Sequence, residues 1–335
     1  MEEIDRVNYY IGESLNKDYE LTKSDFPNIR ASKWHGEVYL VSEKRLLSSK
    51  AQPPQIRDLA KQLKGRSATY LSVLGDINMS PQTMKSKLKK TKCSLEDVPT
   101  LVKARNRRDP WGILFSVNAH RHFNPEVFQE TLNSDMPWGK KSQSVVWRGT
   151  PTGLSQEQLS SEHKKLTVHI KRQIPSRFML VRLWHTIHDV KFSYPNPRWR
   201  KSGEMLHPSY DEFFGEYASI GEQLQHKYII DIEGNDVSTG LKWKLLSNSV
   251  VIMPYPQTAG WLMEDKLVPY EHYVPIDSTF DNLDYVLDWC KKNDSKCKKI
   301  AQNATKYMQK FLDYDSEKRI QGMILDKYEE RVTWV

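Results

Sequence analysis

Residues 226–253 read HKYIIDIEGNDVSTGLKWKLLSNSVVIM and change character three times. An apolar run from Tyr228 to Ile232 stops at a polar turn that contains Gly234. A short helical pattern with two lysines follows, and a second apolar run then ends at Met253. The pattern predicts a strand, a glycine turn, a helix and a second strand parallel to the first. Ligands bind beyond the carboxyl ends of such strands.

The same alternation of short apolar runs with helical patterns extends along most of the chain and predicts an α/β fold. Runs with strand character are Glu37–Val41, Thr69–Leu74, Thr100–Ala104, Ile113–Val117 and Val145–Trp147. Helical patterns, several of them opened by proline, are Pro54–Leu63, Pro81–Lys89, Pro125–Leu132 and Gln173–His185.

The length of the chain, 335 residues, is too great for one ordinary hydrophobic core, so we expect two domains. A turn-rich stretch at 134–143, SDMPWGKKSQ, marks the boundary between them. The prediction is an N-terminal domain at 1–143 and a C-terminal domain at 144–312. A last helix at 313–335 is expected to pack back on the N-terminal domain.

The composition narrows the class of protein. The chain carries 50 basic and 42 acidic residues, a formal net charge of +8, which suits a protein that handles anions but also serves solubility alone. Its 3 cysteines exclude a disulfide framework and a convincing zinc site. Neither a signal peptide nor an apolar run near the ~20 residues of a membrane span is found, so we expect a soluble, cytoplasmic protein.

The polar turn of the opening stretch is the first candidate binding element. Gly234 permits a tight turn, and Ser238, Thr239 and Gly240 lie where the helix is expected to begin. A helix N-terminus attracts phosphate, and Lys242 adds a positive charge near its first turn. The stretch matches neither G-x-G-x-x-G nor a Walker P-loop, and an ordinary βαβ connection with solvated lysines is the alternative.

Two further stretches carry candidate binding residues. In VVWRGTPTG, residues 145–153, a strand turns at Gly149 and exposes Arg148, Thr150 and Thr152. An arginine fork there suits a diphosphate, although an arginine paired with a carboxylate is an equal alternative. In TAGWLMEDKLVPYEHYVPI, residues 258–276, Glu264 offers a bidentate acceptor for two neighbouring sugar hydroxyls.

Together these pieces resemble glycosyltransferase family 90, the CAP10-like family of protein O-glucosyltransferases and O-xylosyltransferases. The resemblance is specific from about residue 145 to 312 and faint before it. The matching pieces are WRG at 147–149, KYIIDIEGNDVSTGLKWKLLSNSVVIM at 227–253, WLMEDKLVPYEHYVPI at 261–276 and DNLDYVLDWCKKND…IAQNA at 281–304.

The resemblance implies a GT-B-like fold, in which two Rossmann-like domains face a cleft and the N-terminal domain holds the acceptor. It also implies an inverting enzyme that uses UDP-xylose or UDP-glucose and requires no metal or other cofactor. Carried over by motif, Glu264 contacts the ribose of the donor. The diphosphate contacts come from the two turns: Arg148, Gly149, Thr150, Gly234, Ser238, Thr239, Gly240 and Lys242. Lysine stands here where animal members carry arginine near the helix, which makes the grip less bidentate.

An inverting transferase needs a base that takes the proton of the acceptor hydroxyl. Animal members place an aspartate directly after an arginine at the end of a strand of the N-terminal domain. In this chain that position follows Arg105 and is occupied by Asn106, which cannot act as a base. Two aspartates end nearby strands, Asp76 and Asp109, and Asp76 is preferred because it follows a cleaner strand and a glycine. His120 and His122 are the reserves.

The predicted reaction transfers xylose or glucose from a UDP-sugar to a hydroxyl of a glycan or glycoprotein. The lack of a signal peptide fits soluble bacterial or viral relatives, which places a viral protein in the host cytoplasm. Trp199, in the loop PRWRK at 197–201, is a candidate platform for the acceptor sugar.

Two rival functions remain open from the sequence. A metal-dependent glycosyltransferase would use Asp313-Tyr314-Asp315 or Asp231-Ile232-Glu233 to hold a divalent cation. A nucleic-acid-binding protein would use the basic clusters KSKLKKTK (85–92), KARNRR (103–108) and PRWRK. No recognised nucleic-acid-binding motif accompanies those clusters, so no nucleic-acid partner is expected.

Overall fold

The structure, a computed structural model, describes residues 2–28, 37–48, 54–76, 78–95, 97–150, 176–193 and 212–335. Its strands are β1 (Tyr19–Leu21), β2 (Val38–Val41), β3 (Tyr70–Val73), β4 (Asn78–Met79), β5 (Leu101–Val102), β6 (Ala104–Asn106), β7 (Ile113–Leu114), β8 (Ser142–Gly149), β9 (Asp189–Ser193), β10 (Phe214–Gly215), β11 (His226–Ile230), β12 (Val250–Met253), β13 (Thr258–Ala259), β14 (Val274–Pro275) and β15 (Val332–Trp334).

The helices are α1 (Glu3–Ile11), α2 (Glu43–Leu47), α3 (Pro54–Gln62), α4 (Pro81–Leu88), α5 (Ala119–His122), α6 (Pro125–Ser134), α7 (Ser176–Trp184), α8 (Ile220–Gln223), α9 (Leu241–Leu246), α10 (Leu283–Lys292), α11 (Asp294–Gln309) and α12 (Tyr314–Arg331). Strands and helices alternate, and most strand pairs are parallel, which confirms the predicted α/β class. Among the described helices, none combines the length and the apolar character needed to cross a bilayer.

The chain forms two compact units. One consists of Met1–Asn124, Pro256–Lys266 and Lys310–Val335, and the other of Pro125–Tyr255 and Leu267–Gln309. The sequence predicted a change of domain near residue 143. The contacts group α6 with the second unit and the segment Pro256–Lys266 with the first.

The second unit is built on a parallel sheet with the strand order β10-β9-β8-β11-β12-β14. Both faces of this sheet are covered, as parallel sheets require. Tyr228 and Ile230 of β11 face one apolar cluster, whereas Ile229 between them packs with Trp243 of α9 on the other side. The burial of both faces explains why the strands read as continuous apolar runs in the sequence.

The first unit contains smaller sheets. One has the order β2-β3-β5-β7, in which β3, β5 and β7 are parallel and β2 is antiparallel to β3. A second has the order β13-β6-β4, and β1 pairs with β15 from the other end of the chain. Helix α12 packs against α1 through a buried ion pair, in which Nη1 of Arg6 lies 2.6 Å from Oε1 of Glu317.

One predicted strand is divided in the structure. The run Thr100–Ala104 was predicted as a single strand, but β5 and β6 belong to different sheets. Leu101 pairs with Ser72 and Ile113 in one sheet, and Ala104 pairs with Asn78 in the other. Lys103 stands between the two strands, and its ammonium group bonds the carboxylate of Asp76.

Candidate active site

The strand order of the second unit shows where its parallel sheet is expected to bind a ligand. From β8 the chain proceeds to β9 and β10 on one side, and from β11 to β12 and β14 on the other. The carboxyl ends of β8 and β11 therefore flank a topological switch point, where open α/β sheets bind ligands. The predicted turns after Trp147 and after Ile232 both follow these two strands. The structure thus brings together the two predicted diphosphate-binding turns.

Arg148, near the end of β8, is extensively bonded. Its Nη2 lies 2.5 Å from Oδ1 of Asp189, and Nη1 donates to the carbonyls of Trp147 and Asp189 at 3.0 Å each. Its Nε donates to the carbonyl of Glu216 at 3.2 Å. This is the carboxylate-paired arrangement that the sequence left as an alternative. A contact with a diphosphate requires Arg148 to add to or exchange these partners.

Glycine is required at position 149 because any side chain there would clash with the ring of Trp147. A Cβ atom at this position would lie 2.5 Å from Cζ2 of Trp147 and 2.9 Å from its Cη2. The indole belongs to the core of the unit and is 2% exposed, so it cannot move aside. Packing therefore explains the tryptophan and the glycine of the WRG motif. The arginine between them points to the opposite face of the strand.

Arg177 joins the ends of the two central strands, and the sequence analysis missed it. Its guanidinium donates to the carbonyls of Thr150 (3.3 Å), Ile232 (3.0 Å) and Glu233 (3.1 Å). A Cβ atom at Gly234 would lie 3.2 Å from Nη2 of Arg177, so glycine allows the turn to lie close to this cation. Arg177 places a positive charge at the switch point.

Asp231 anchors the turn that follows β11. Its Oδ1 accepts from the hydroxyl of Ser238 at 2.8 Å and from Nζ of Lys244 at 2.7 Å. Lys244 also donates to the carbonyl of Ile230 at 2.9 Å. The carboxylate and the ammonium group are both buried, so this network holds the DVSTG segment to the strand end and to helix α9.

The start of helix α9 differs from the prediction. We expected Ser238 and Thr239 at the N-cap or in the first turn, but the helix begins at Leu241 and Gly240 occupies the cap position without a side-chain bond. The Ser238 hydroxyl is used by Asp231 instead, which explains why it does not cap. Lys242 is 1% exposed, and its Nζ donates to the carbonyl of Ser238 at 2.8 Å.

Glu264 belongs, by its contacts, to the first unit. Its Oε2 accepts from the backbone N–H of Gly260 at 2.7 Å, and the residue is 2% exposed. The carboxylate of the neighbouring Asp265 accepts from the hydroxyl of Tyr9 at 2.5 Å. Burial is the main cause that raises the pKa of Tyr9, and the Asp265 carboxylate raises it further. The WLMED segment is therefore anchored on α1, and it is not grouped with the turns of the second unit that carry Arg148 and Lys242.

Asp76 lies after the carboxyl end of β3, beyond Gly75, whose φ of 108° favours glycine. Nζ of Lys103 lies 2.5 Å from its Oδ1, and Nη1 of Arg121 lies 3.6 Å from its Oδ2. Two cations therefore engage the carboxylate that the sequence preferred as the base.

Asp109 lies in an exposed turn after β6. The side chain of Asn106 organises that turn, because its Oδ1 accepts from the backbone N–H groups of Arg108 (2.9 Å) and Asp109 (3.1 Å). This is an Asx turn, which an aspartate would form equally well. The asparagine at the expected base position thus has a local structural role.

The residues behind the rival functions are largely accounted for by the fold. Asp313 caps helix α12 by accepting from the N–H of Ser316 at 3.0 Å, and Asp231 is paired with Lys244. In KARNRR, Lys103 pairs with Asp76 and Arg105 donates to main-chain carbonyls of α1. Thr152, Trp199 and the PRWRK cluster lie outside the described residues.

Comparison with known proteins adds evidence that is independent of this geometry. The sequence model of Glycosyl transferase family 90 matches residues 117–334. The O-glucosyltransferase LpsA of Dichelobacter nodosus is 27% identical over 237 residues, which cover 70% of this chain and 63% of LpsA. The O-glucosyltransferase rumi of Drosophila melanogaster is 25% identical over 196 residues, which cover 58% of this chain and 42% of rumi.

A crystal structure of Anabaena Alr3699/HepE in complex with UDP-glucose aligns over 87% of this chain and 68% of that chain, with a TM-score of 0.37 and 13% identity. The chain thus spans less than two thirds of the length of LpsA and under half of rumi. The family match covers both predicted turns, the WLMED segment and the C-terminal helices. The chain belongs to glycosyl transferase family 90.

Proposed function

We propose that this protein is a glycosyltransferase that transfers a sugar from a UDP-sugar to an acceptor hydroxyl. The observation that carries the proposal is the switch point between β8 and β11. Arg148 lies near the end of β8, and Arg177, on α7, donates to the carbonyls of Thr150 and Ile232 at the ends of the two strands. Both arginines lie within the family match. Positive charge there suits the diphosphate of a nucleotide sugar.

The proposed donor is UDP-glucose, followed by UDP-xylose. LpsA and rumi are both named O-glucosyltransferases, which favours glucose, and no residue in the described turns reports on the hydroxymethyl group that separates the two sugars. The acceptor is proposed to be a hydroxyl of a glycan or glycoprotein. A cytoplasmic location remains a prediction from the sequence.

The proposed reaction inverts the anomeric centre and uses no metal. The acceptor oxygen attacks the anomeric carbon as its bond to the UDP oxygen breaks, and the electron pair leaves with UDP. Charge then grows on the diphosphate, so cations such as Arg148 and Arg177 stabilise the transition state more than the ground state. Ser238, Thr239 and Lys242 stay proposed donor contacts, as does Glu264 for the ribose.

A donor screen tests this proposal. The purified chain is incubated with UDP-glucose, UDP-xylose, UDP-galactose and GDP-mannose, each with EDTA or with Mn²⁺, and nucleotide release is measured together with binding by calorimetry. We expect binding and release with UDP-glucose or UDP-xylose in EDTA. Release that requires Mn²⁺ would contradict the metal-independent mechanism, and the absence of both binding and release with every donor would contradict the function.

A further inference from the structure

His120 and Asp58 form a carboxylate–imidazole pair in the first unit. Nδ1 of His120 lies 2.5 Å from Oδ2 of Asp58, and the same oxygen accepts from the backbone N–H of His120 at 2.7 Å. Asp58 lies on α3 and His120 on α5, and these helices pack against each other. One mostly buried carboxylate therefore holds both the ring and the backbone of His120.

The partner of Nδ1 determines the state of the ring. A carboxylate only accepts hydrogen bonds, so the proton of the neutral imidazole lies on Nδ1 and the lone pair on Nε2. The imidazole is 36% exposed, and among the described residues no hydrogen bond or ion pair involves its Nε2. This arrangement holds a proton acceptor toward solvent and supports the positive charge that the ring gains when Nε2 takes a proton.

The pair lies at the carboxyl ends of the first unit's parallel strands. Asp76 follows β3, Lys103 follows β5 and helix α5 follows β7, and these three strands are adjacent and parallel. Arg121, next to His120, contacts Asp76 at 3.6 Å. The carboxyl ends of parallel strands are where α/β sheets bind ligands, so His120 stands on the edge that a substrate is expected to approach.

A buried amide lies beside the same helix. Asn118 directly precedes α5 and is 2% exposed. Within the described ranges, neither Nδ2 nor Oδ1 of its side chain has a hydrogen-bond partner. This amide places one donor group and one acceptor beside helix α5.

The two carboxylates predicted as the base are less suited than this pair. Lys103 and Arg121 already engage the oxygens of Asp76. Asp109 lies in an exposed turn that Asn106 organises.

We propose that His120 is the general base of the transfer reaction and that Asp58 is its positioning residue. His120 Nε2 takes the proton of the acceptor hydroxyl as the oxygen attacks the anomeric carbon, and UDP leaves with the electron pair of the broken bond. The imidazolium then returns its proton to water. This inference rests on the proposed glycosyltransferase function and adds the residue that performs its proton transfer.

The test compares UDP release by the wild type with that of variants at His120 and Asp58 and of one control variant. His120→Ala is expected to lower kcat by about 100-fold or more, the range for loss of a general base, while UDP affinity measured by calorimetry stays unchanged. Added imidazole should restore part of the activity, because it replaces the missing ring. His120→Gln, which keeps the size of the side chain, should show the same loss with no recovery.

Asp58→Asn is expected to lower kcat by about 10–100-fold, as loss of a residue that orients a catalytic group does. In the His120→Ala background without imidazole it should have little further effect, because its partner is gone. The matched control is His188→Ala, which removes another histidine paired with an aspartate, Asp284 at 2.9 Å. It should leave kcat unchanged and show no response to imidazole.

A His120→Ala protein with wild-type kcat would overturn the assignment. A His120→Ala protein that loses turnover, keeps its UDP affinity and gains no activity from added imidazole would also overturn it. A wild type that binds no nucleotide sugar would instead contradict the proposed function, and the assignment of His120 would fall with it.

Discussion

The ammonium group of Lys244 lies 2.7 Å from a carboxylate oxygen of Asp231, and both side chains are more than nine-tenths buried. The hydroxyl of Ser238 donates to the same oxygen at 2.8 Å. One strand end, one turn and one helix therefore meet at a single carboxylate. This network fixes the turn that follows β11, which lies within the family match.

Replacing Lys244 by methionine should lower the free energy of unfolding by about 3–5 kcal/mol, because the buried carboxylate of Asp231 loses its charged partner. Urea unfolding followed by circular dichroism measures the change. Arg331→Gln is the control, since its pair with Asp18 is exposed and should contribute much less to stability. Equal effects of the two substitutions would show that the buried pair does not hold the turn.

Gly149→Ala should destabilise the protein by about 1–3 kcal/mol, the usual cost of overpacking a well-filled core. The added methyl group would lie 2.5 Å from the Trp147 ring. Gly139→Ala serves as the control, because a Cβ there meets no atom within 4 Å. Thermal melts of both variants report the difference, and a Gly149→Ala protein that melts with the wild type would refute the packing explanation of WRG.

The α/β class could be predicted because the strands of the second unit are buried on both faces. Runs such as Val145–Trp147 and Val250–Met253 are then continuously apolar and easily found. Helix α1 was missed because its buried side includes Arg6, which pairs with Glu317 and interrupts the apolar periodicity. The pairing of β1 with β15 was beyond prediction, since each is three residues long and they come from opposite ends of the chain.

His226, at the start of β11, should make stability depend on pH. Burial lowers its pKa in the folded protein below the ordinary value of 6.5. The charge of Asp189 raises the pKa, whereas the charges of Arg148 and Lys141 lower it further. The folded state therefore prefers the neutral ring. The associated stability is present above pH 6.5 and is lost as the pH falls through the lowered pKa.

His226→Gln should remove this part of the acid sensitivity. Unfolding free energies measured from about pH 8 to about pH 5 should fall more steeply for the wild type than for the variant. The hydroxyl of Ser144 lies 2.8 Å from Nδ1 of His226. The glutamine side chain can bond the same hydroxyl, so the comparison does not include the loss of this hydrogen bond. Parallel curves for the two proteins would contradict the prediction.

Site residues could be predicted from the sequence only where they belong to a motif that resembles the family. The turns at Arg148 and Gly234 could be found because their residue types and order resemble the family. Arg177 carries no such signal, because its contacts depend on β8 and β11 being neighbours, and strand order is not written in local sequence. His120 was named from the sequence as a reserve base, but its pairing with Asp58, 62 residues away, depends on the packing of α3 on α5.

The proposed function requires that the ends of β8 and β11 hold the diphosphate of a UDP-sugar. Hydrogen–deuterium exchange with and without saturating UDP-glucose tests it most directly, because a bound ligand slows the exchange of the backbone amides that it contacts or orders. Peptides covering 145–150 and 231–242 should exchange more slowly with the ligand, and peptides of β1 and β15 should not change. Binding confirmed by calorimetry without protection at either turn would contradict the account.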